Sequence, residues 1–414
     1  MTLACGEDDV SQEAYKETVN GFRVVHLYGT PFEMGAQHAR LMQTELRAGL
    51  AEIETNALLK ATFAMAKMLK LDKLAEQNSY PEVIQECKGM NSVMGAEGWD
   101  MQKCLVLNFG DVVAEFALNG MPKNTEITPG CAQLITTGSA SSDGRLYHAR
   151  ILDWAKIDYI INHPTLIVRH PTGRIPHVVI GFPGNLSPYQ GMNAQGVVVA
   201  SNEIEPKDNT VNDMTGESHV QLVGRLLARA KTLDDASAMI KAANHMSLET
   251  IVVSDGKAGK GSVFEMAPKA VAVREISADG VVAATNHFLG KETAPLDEDP
   301  IGSSSSERYK RLEQLTLKGG ADSLLGKLQP LSLVKLMRDR KNATSGTESP
   351  LGTFDDNKSL ATNGALYQVV FDPEKRLFWM AAGKVPIPAL PFVGFSLDKL
   401  LGVEGAAPHP TTMP

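Results

Sequence analysis

The sequence predicts an α+β protein. Strand-like and helical runs cluster apart along the chain instead of alternating one for one. Helical character dominates residues 31–120, whereas strand-like runs fill residues 131–202. The 414 residues have 43% hydrophobic content, enough for a sizeable core. No internal repeat is present.

In chain order, residues 22–28 read as a strand and residues 31 to about 51 as a helix. Residues 51–74 are helical and Met-rich, with Leu58, Leu59, Phe63, Met65, Met68 and Leu69. This stretch is read as core packing; the alternative is an adaptable apolar wall for an acyl chain, since Met fits irregular ligands. Residues 81–120 are mainly helical. Strands follow at 131–137, 146–154, 165–169 and 177–180, and a helix spans 220–243. Further strands are expected at 249–253, 262–265, 271–274, 366–371 and 377–381, and helices at 305–318 and 331–339. The tail after residue 402 is rich in proline and small residues and is expected to be disordered. Residues 1–20 are expected to form an exposed tether.

Composition excludes several classes. Net charge is −8, and the one basic cluster, Arg338-Asp-Arg-Lys341, is short enough to be a solvated helix end, so no nucleic-acid partner is expected. No run of eighteen apolar residues occurs. Cys-x-x-Cys, His-Glu-x-x-His, P-loop and Gly-x-Ser-x-Gly patterns are absent, and neither cofactor nor metal is expected. The ten histidines are scattered, and His148 reads as structural. Of four cysteines, Cys87 and Cys104 are read as reduced core residues, with a mutual disulfide as the alternative. Met1-Thr-Leu-Ala-Cys5-Gly resembles the end of a bacterial lipoprotein cleavage site, without the apolar segment that precedes such sites. A cell-envelope location through lipidated Cys5 and a cytoplasmic one both stay open.

Gly130-Cys131 is the most informative pair. Cys131 opens a strand that returns through the Asp143-Gly144 turn. Cysteine is a strong nucleophile near neutral pH. Its thiol can attack the carbonyl of residue 130, shifting the acyl group from nitrogen to sulfur, and water then hydrolyses the thioester. The cut leaves Cys131 with a free α-amine, whose pKa of roughly 7.7–8.0 suits a general base. The alternative is an ordinary half-buried cysteine after a turn.

The surrounding motifs resemble the cysteine N-terminal-nucleophile (Ntn) hydrolase superfamily, in its acyl-CoA:6-aminopenicillanic-acid acyltransferase-like, peptidase C45-like branch. Ala149-Arg150-Ile151-Leu152-Asp153-Trp154 is similar to that group's Gly-Arg-Asn-Leu-Asp-Phe/Tyr return strand, with Ile151 where Asn is usual and Ala149 where Gly is usual. Gly29-Thr-Pro-Phe-Glu-Met-Gly35-Ala-Gln-His38, Gly191-Met-Asn193-Ala-Gln-Gly196, Thr285-Asn286-His287-Phe288 and Ser305-Ser-Glu-Arg308-Tyr-Lys-Arg311-Leu312 follow the group's order.

The resemblance implies a four-layer αββα sandwich. It also implies a helical N-terminal fragment over 21–130 and a catalytic fragment over 131–402. Cys131 is then the nucleophile and Asp153 the partner of its ammonium or thiol. Arg150 stabilises the thiolate, and Asn286 donates to the oxyanion. Asn193, Asn202 and Arg308 are expected to support the site. The implied activity is an autoproteolytically activated amidase for linear carbon–nitrogen bonds, acting through a thioester. An acyltransferase passing the acyl group to an amine, and a non-catalytic envelope or binding protein, are the alternatives. Expected partners are a small amide or acyl substrate, the two fragments of the cut chain, and a second copy in a homo-oligomer.

Overall fold

Two β-sheets stacked face to face form the centre of the protein, seen in a computed structural model that describes residues 13–109, 130–153, 157–298, 301, 303–352, 358–361 and 364–414. The larger sheet runs β1 (Tyr15–Val19), β2 (Phe22–Gly29), β5 (Thr165–Pro171), β6 (His177–Gly181), β7 (Gln190–Asn193), β8 (Val197–Glu203), β9 (Glu249–Asp255), β10 (Lys260–Ala267) and β11 (Ala270–Glu275). The smaller runs β12 (Val281–Ala284), β3 (Ala132–Gly138), β4 (Gly144–Asp153), β13 (Ala365–Asp372), β14 (Leu377–Ala382) and β15 (Val393–Ser396). Pairing is antiparallel except between β2 and β5.

Period-two alternation sorts the strand side chains into layers. Leu166, Val168, Val178 and Ile180 meet Leu152, Val369, Phe371 and Phe378 in the core between the sheets. Their neighbours Ile167 and Val179 face the other way, onto α1 (Pro31–Leu41), α5 (Pro81–Met94), α8 (His219–Arg229) and α9 (Leu233–Ala242). On the outer face of the smaller sheet, Leu134, Tyr147 and Val370 pack on α10 (Ser303–Thr316) and α11 (Pro330–Met337). The expected four-layer αββα arrangement is the one observed.

The Gly29–His38 motif is a packing device. Thr30 caps α1 in a reciprocal capping box with Glu33, and Pro31 starts the helix. A Cβ on Gly35 would lie 2.1 Å from the Glu86 carbonyl, and one on Gly89 would lie 2.1 Å from the Phe32 carbonyl. The two glycines therefore let α1 and α5 cross with their backbones touching. His38 is fully buried and accepts from the Gly184 amide at 3.0 Å, with its pKa pushed down to about 3 by burial and by Arg169.

Several expectations need correction. Residues 15–19 are an edge strand paired with β2, not part of a tether, whereas Cys5 lies outside the described residues. The predicted helix over 31–51 breaks at Met42 into α1 and α2 (Gln43–Thr55). The helix over 220–243 breaks at Ala230, between α8 and α9. The Met-rich stretch forms α3 (Ala57–Met68) and α4 (Leu71–Asn78); Ala66 and Leu71 are buried, but Met68 and Leu69 are exposed. Cys87 in α5 and Cys104 in α6 (Met101–Leu107) form a disulfide with Cα atoms 5.7 Å apart. Here the facing helices bring together two cysteines seventeen residues apart. The tail is ordered by pairing: Met413 bridges Phe392, Trp379 Nε1 donates to the Thr411 carbonyl, and the Ser396 amide donates to His409. Proline keeps this segment extended with its carbonyls free to accept. Arg340, read as part of a solvated helix end, is buried and donates to the Ala361 carbonyl.

Candidate active site

Strand register alone assembles the site. In the β3–β4 hairpin Ala132 faces Ile151, so continuing the ladder brings Cys131 beside Leu152 and Gly130 beside Asp153. On the other side of β3, Ala284 of β12 faces Gln133, which carries Thr285 and Asn286 towards Ala132 and Cys131. On the far side of β4, Ala365 pairs with Asp153 and brings Gly364 against it.

Asp153 is packed between two glycines. A Cβ on Gly130 would lie 2.0 Å from Oδ2, and one on Gly364 would lie 1.9 Å from Oδ1. Side chains at either position would drive the carboxylate out, so the requirement for glycine at 130 is steric. The Cys131 thiol is buried and donates to the Asp153 carbonyl at 3.6 Å.

Arg308 ties Cys131 to Asn286. It projects from α10, fully buried, with Nη1 donating to the Cys131 carbonyl and Nη2 to Asn286 Oδ1 at 3.0 Å. Because Oδ1 accepts from Arg308, the amide orientation of Asn286 is settled. Its Nδ2 donates to the Glu203 carbonyl at 2.8 Å, and an amide nitrogen carries a second N–H for a further acceptor. Ser305, one turn earlier on α10, accepts from the Asn286 backbone amide at 2.8 Å. The Ser-x-x-Arg spacing thus holds Asn286 by backbone and side chain from one helix face. Arg311, next in the motif, instead anchors α10 through Asp339 and Asp322.

Arg150 points between the sheets. Its Nη2 donates to the Ser201 carbonyl at 2.6 Å and its Nη1 to the Ile151 carbonyl. It lines one small cavity with Cys131, Asp153, Tyr189 and Glu203. Its Nε is buried without a hydrogen-bond partner among the described residues.

Asn202 bridges the two sheets, accepting from Gln133 Nε2 at 2.8 Å and donating to the Thr285 carbonyl at 3.0 Å. Gln133 Oε1 in turn receives His148 Nε2 at 2.9 Å, and His148 Nδ1 faces Ser254 Oγ at 3.0 Å. Burial, with help from Arg150, pushes the His148 pKa down to about 3, so its ring is neutral and carries its proton on Nε2. Asn193 is not brought to this cluster. It binds the Leu227 and Ala230 carbonyls and the Gln195 and Val197 amides, closing the β7–β8 turn over the end of α8.

Sequence reasoning missed Gln133 and Gly364. Gln133 carried a faint signal: a polar residue between Ala132 and Leu134, two positions after Cys131, faces the same side of the strand as the cysteine. Gly364 precedes a strand and carries none.

A sequence model for acyl-coenzyme A:6-aminopenicillanic acid acyl-transferase matches residues 143–385, more than half of the chain. That span holds every site residue named above except Gly130, Cys131 and Gln133. An uncharacterized protein of Archaeoglobus fulgidus is 26% identical over 274 residues, 62% of this chain and 45% of that protein. The protein dcd1B of Dictyostelium discoideum is 26% identical over 159 residues, 37% of this chain and 32% of that one. The matches thus span less than half the length of these relatives. Among solved structures, the Caenorhabditis elegans N-acylethanolamine-hydrolyzing acid amidase ortholog has 15% identity and a TM-score of 0.42, covering 59% of this chain and 93% of that one. Penicillin V acylase from Agrobacterium tumefaciens has 13% identity and a TM-score of 0.36, covering 61% and 83%. With its match to the family model running from the β3–β4 turn to just past β14, the chain belongs to the acyl-coenzyme A:6-aminopenicillanic acid acyl-transferase family.

Proposed function

We propose that the protein is a self-cleaving cysteine amidase that breaks linear carbon–nitrogen amide bonds through a thioester. One observation carries the reading: Cys131, the Asp153 carboxylate and the Arg308–Asn286 pair meet at the Gly130–Cys131 peptide bond.

In the cut, Cys131 Sγ bonds to the Gly130 carbonyl carbon as the bond to the Cys131 nitrogen breaks and that nitrogen takes a proton. Water hydrolyses the thioester, releasing the Gly130 carboxylate and the free thiol. In turnover the new α-amine takes the thiol proton while Sγ attacks the substrate amide. Asn286 donates to the resulting oxyanion, and the same proton passes to the departing amine. Water then frees the acyl group. Asp153, beside the junction, holds the α-ammonium. Arg308 acts by positioning Asn286 and the Cys131 backbone. The parallel β2–β5 pairing crosses the cut, so both fragments stay in one fold.

The family match favours a second reading, in which an amine takes the acyl group in place of water. A panel of linear amides, assayed for acyl release with and without hydroxylamine, tests both. Release that needs Cys131 supports the proposal, and diversion of most product into hydroxamate favours transfer. No release, together with failure of a thiol-reactive probe to label Cys131, would return the protein to the binding class.

A further inference from the structure

A second cavity of about 340 Å³ lies on the opposite face of the nine-stranded sheet from Cys131. Alternation along β5 and β6 makes the separation clear. Val168 and Ile180 face the inter-sheet core, whereas Arg169, His177 and Val179 face the helices and line this cavity. The volume lies within the roughly 300–1,000 Å³ typical of small-molecule sites.

The walls are apolar and the charges are mostly of one sign. Met34 of α1, Val83 of α5 and Ala228 of α8 contribute apolar surface. Four arginines line the space, at 169, 174, 225 and 229, against two glutamates, at 82 and 86, leaving an excess of two positive charges. His177 adds none near neutral pH, because burial and Arg169 push its pKa down to about 3. Glu82 is taken up by a two-pronged bond from Arg225, at 2.8 and 3.1 Å, with Arg229 at 3.6 Å. Arg174 and Arg229 stand at the exposed rim.

At the cavity wall is an incompletely satisfied ion pair. Arg169 Nη2 donates to Glu86 Oε1, with both side chains more than nine-tenths buried. Arg169 Nε and Glu86 Oε2 are buried without hydrogen-bond partners among the described residues. Unpaired atoms on a buried ion pair are costly and rare. The Gly35–Gly89 crossing of α1 and α5, which presses on the Glu86 backbone, leaves this pair little room to repack.

We propose that this cavity binds an organic anion, with an apolar body between α1, α5 and α8 and an oxyanion head held by Arg169 and the rim arginines. Carboxylates and phosphates share the planar two-oxygen face that guanidinium groups grip. The site is separate from the Cys131 pocket, and the proposal does not depend on the activity of that pocket.

Calorimetric titration of the full chain carrying Cys131→Ala, which removes thiol chemistry, is the test. The ligands are 4-phenylbutyrate and 4-phenylbutyl phosphate, compared with 4-phenylbutyltrimethylammonium and inorganic phosphate. Both phenylbutyl anions should bind, and the cation should not. The paired rim change Arg174→Ala with Arg229→Ala should weaken binding about tenfold or more, as expected for lost charged hydrogen bonds. Ala228→Trp, which fills the cavity from α8, should abolish it. Binding of inorganic phosphate as tightly as the phenylbutyl anions would refute the apolar body. No binding of either anion, equal binding of the cation, or binding unmoved by both cavity variants would overturn the site.

Discussion

Replacing Gly130 with alanine isolates one geometric requirement of the proposed cut. The added methyl would lie 2.0 Å from Asp153 Oδ2, 2.5 Å from Cγ and 2.9 Å from Cβ. Ordinary contact begins near 3.4 Å, so about 1.4 Å of movement is needed at Oδ2 (3.4 minus 2.0). Asp153 cannot recoil freely, because Gly364 presses on Oδ1 from the other side. The Gly130–Cys131 peptide bond must therefore shift relative to the carboxylate. Misplacement of reacting groups by about 1 Å costs on the order of a hundredfold in rate. Overpacking a buried site costs roughly 1–3 kcal/mol, which a domain of this size tolerates. Gly130→Ala should therefore fold and cut itself about a hundredfold more slowly than wild type. The assay follows the fraction of intact chain by mass after refolding, with circular dichroism checking the fold. A folded Gly130→Ala protein that cuts at the wild-type rate would refute the steric argument and the place of Asp153 in it.

Further outcomes follow from the same contacts. Asn286→Ala should keep the fold and lower kcat about a hundredfold to a thousandfold, the usual cost of one oxyanion donor; steady-state kinetics with an unchanged kcat would remove Asn286 from the mechanism. Reducing Cys87–Cys104, or changing both residues to serine, should lower unfolding free energy by about 3 kcal/mol, given the seventeen-residue separation. Denaturant titration with and without reductant measures this. Stability should also fall as pH drops below about 6.5. The buried rings of His38, His148, His177 and His219, each pushed down to about 3, stay neutral in the folded protein while the unfolded chain takes up their protons. Each such proton contributes a slope of about 1.4 kcal/mol per pH unit. Asp297, raised by burial to about 7, acts in the opposite sense and offsets part of the slope. Thermal midpoints from pH 7 to pH 4 check the sign.

Much of the fold was legible because its causes are local. Runs such as 165–169 and 249–253 are strands buried on both faces, and their β-branched residues read directly as such. The short strands β12 and β15 were missed, since four residues show too little alternation and depend on their partners for definition. The tail was misread because composition alone cannot show that Phe392 and Trp379 offer it partners. At the site, the family resemblance grouped Arg308 with Asn286 as a supporting residue, but nothing in the sequence showed its bond to the Cys131 carbonyl, which spans 177 residues. Asn193 was grouped with the site because it shares a motif with strand residues, whereas its amide serves a turn on the opposite face of the larger sheet. The role of Gly364 depends on the β13–β4 register and had no sequence signal.

The central claim is that Cys131 cuts the chain before itself. Intact mass of the purified protein beside Cys131→Ala tests it most directly. The account predicts two fragments in the wild type, divided between Gly130 and Cys131, and one uncut chain in the variant. A wild-type protein that remains a single chain while hydrolysing amides, or a Cys131→Ala protein cut at the same bond, would contradict it.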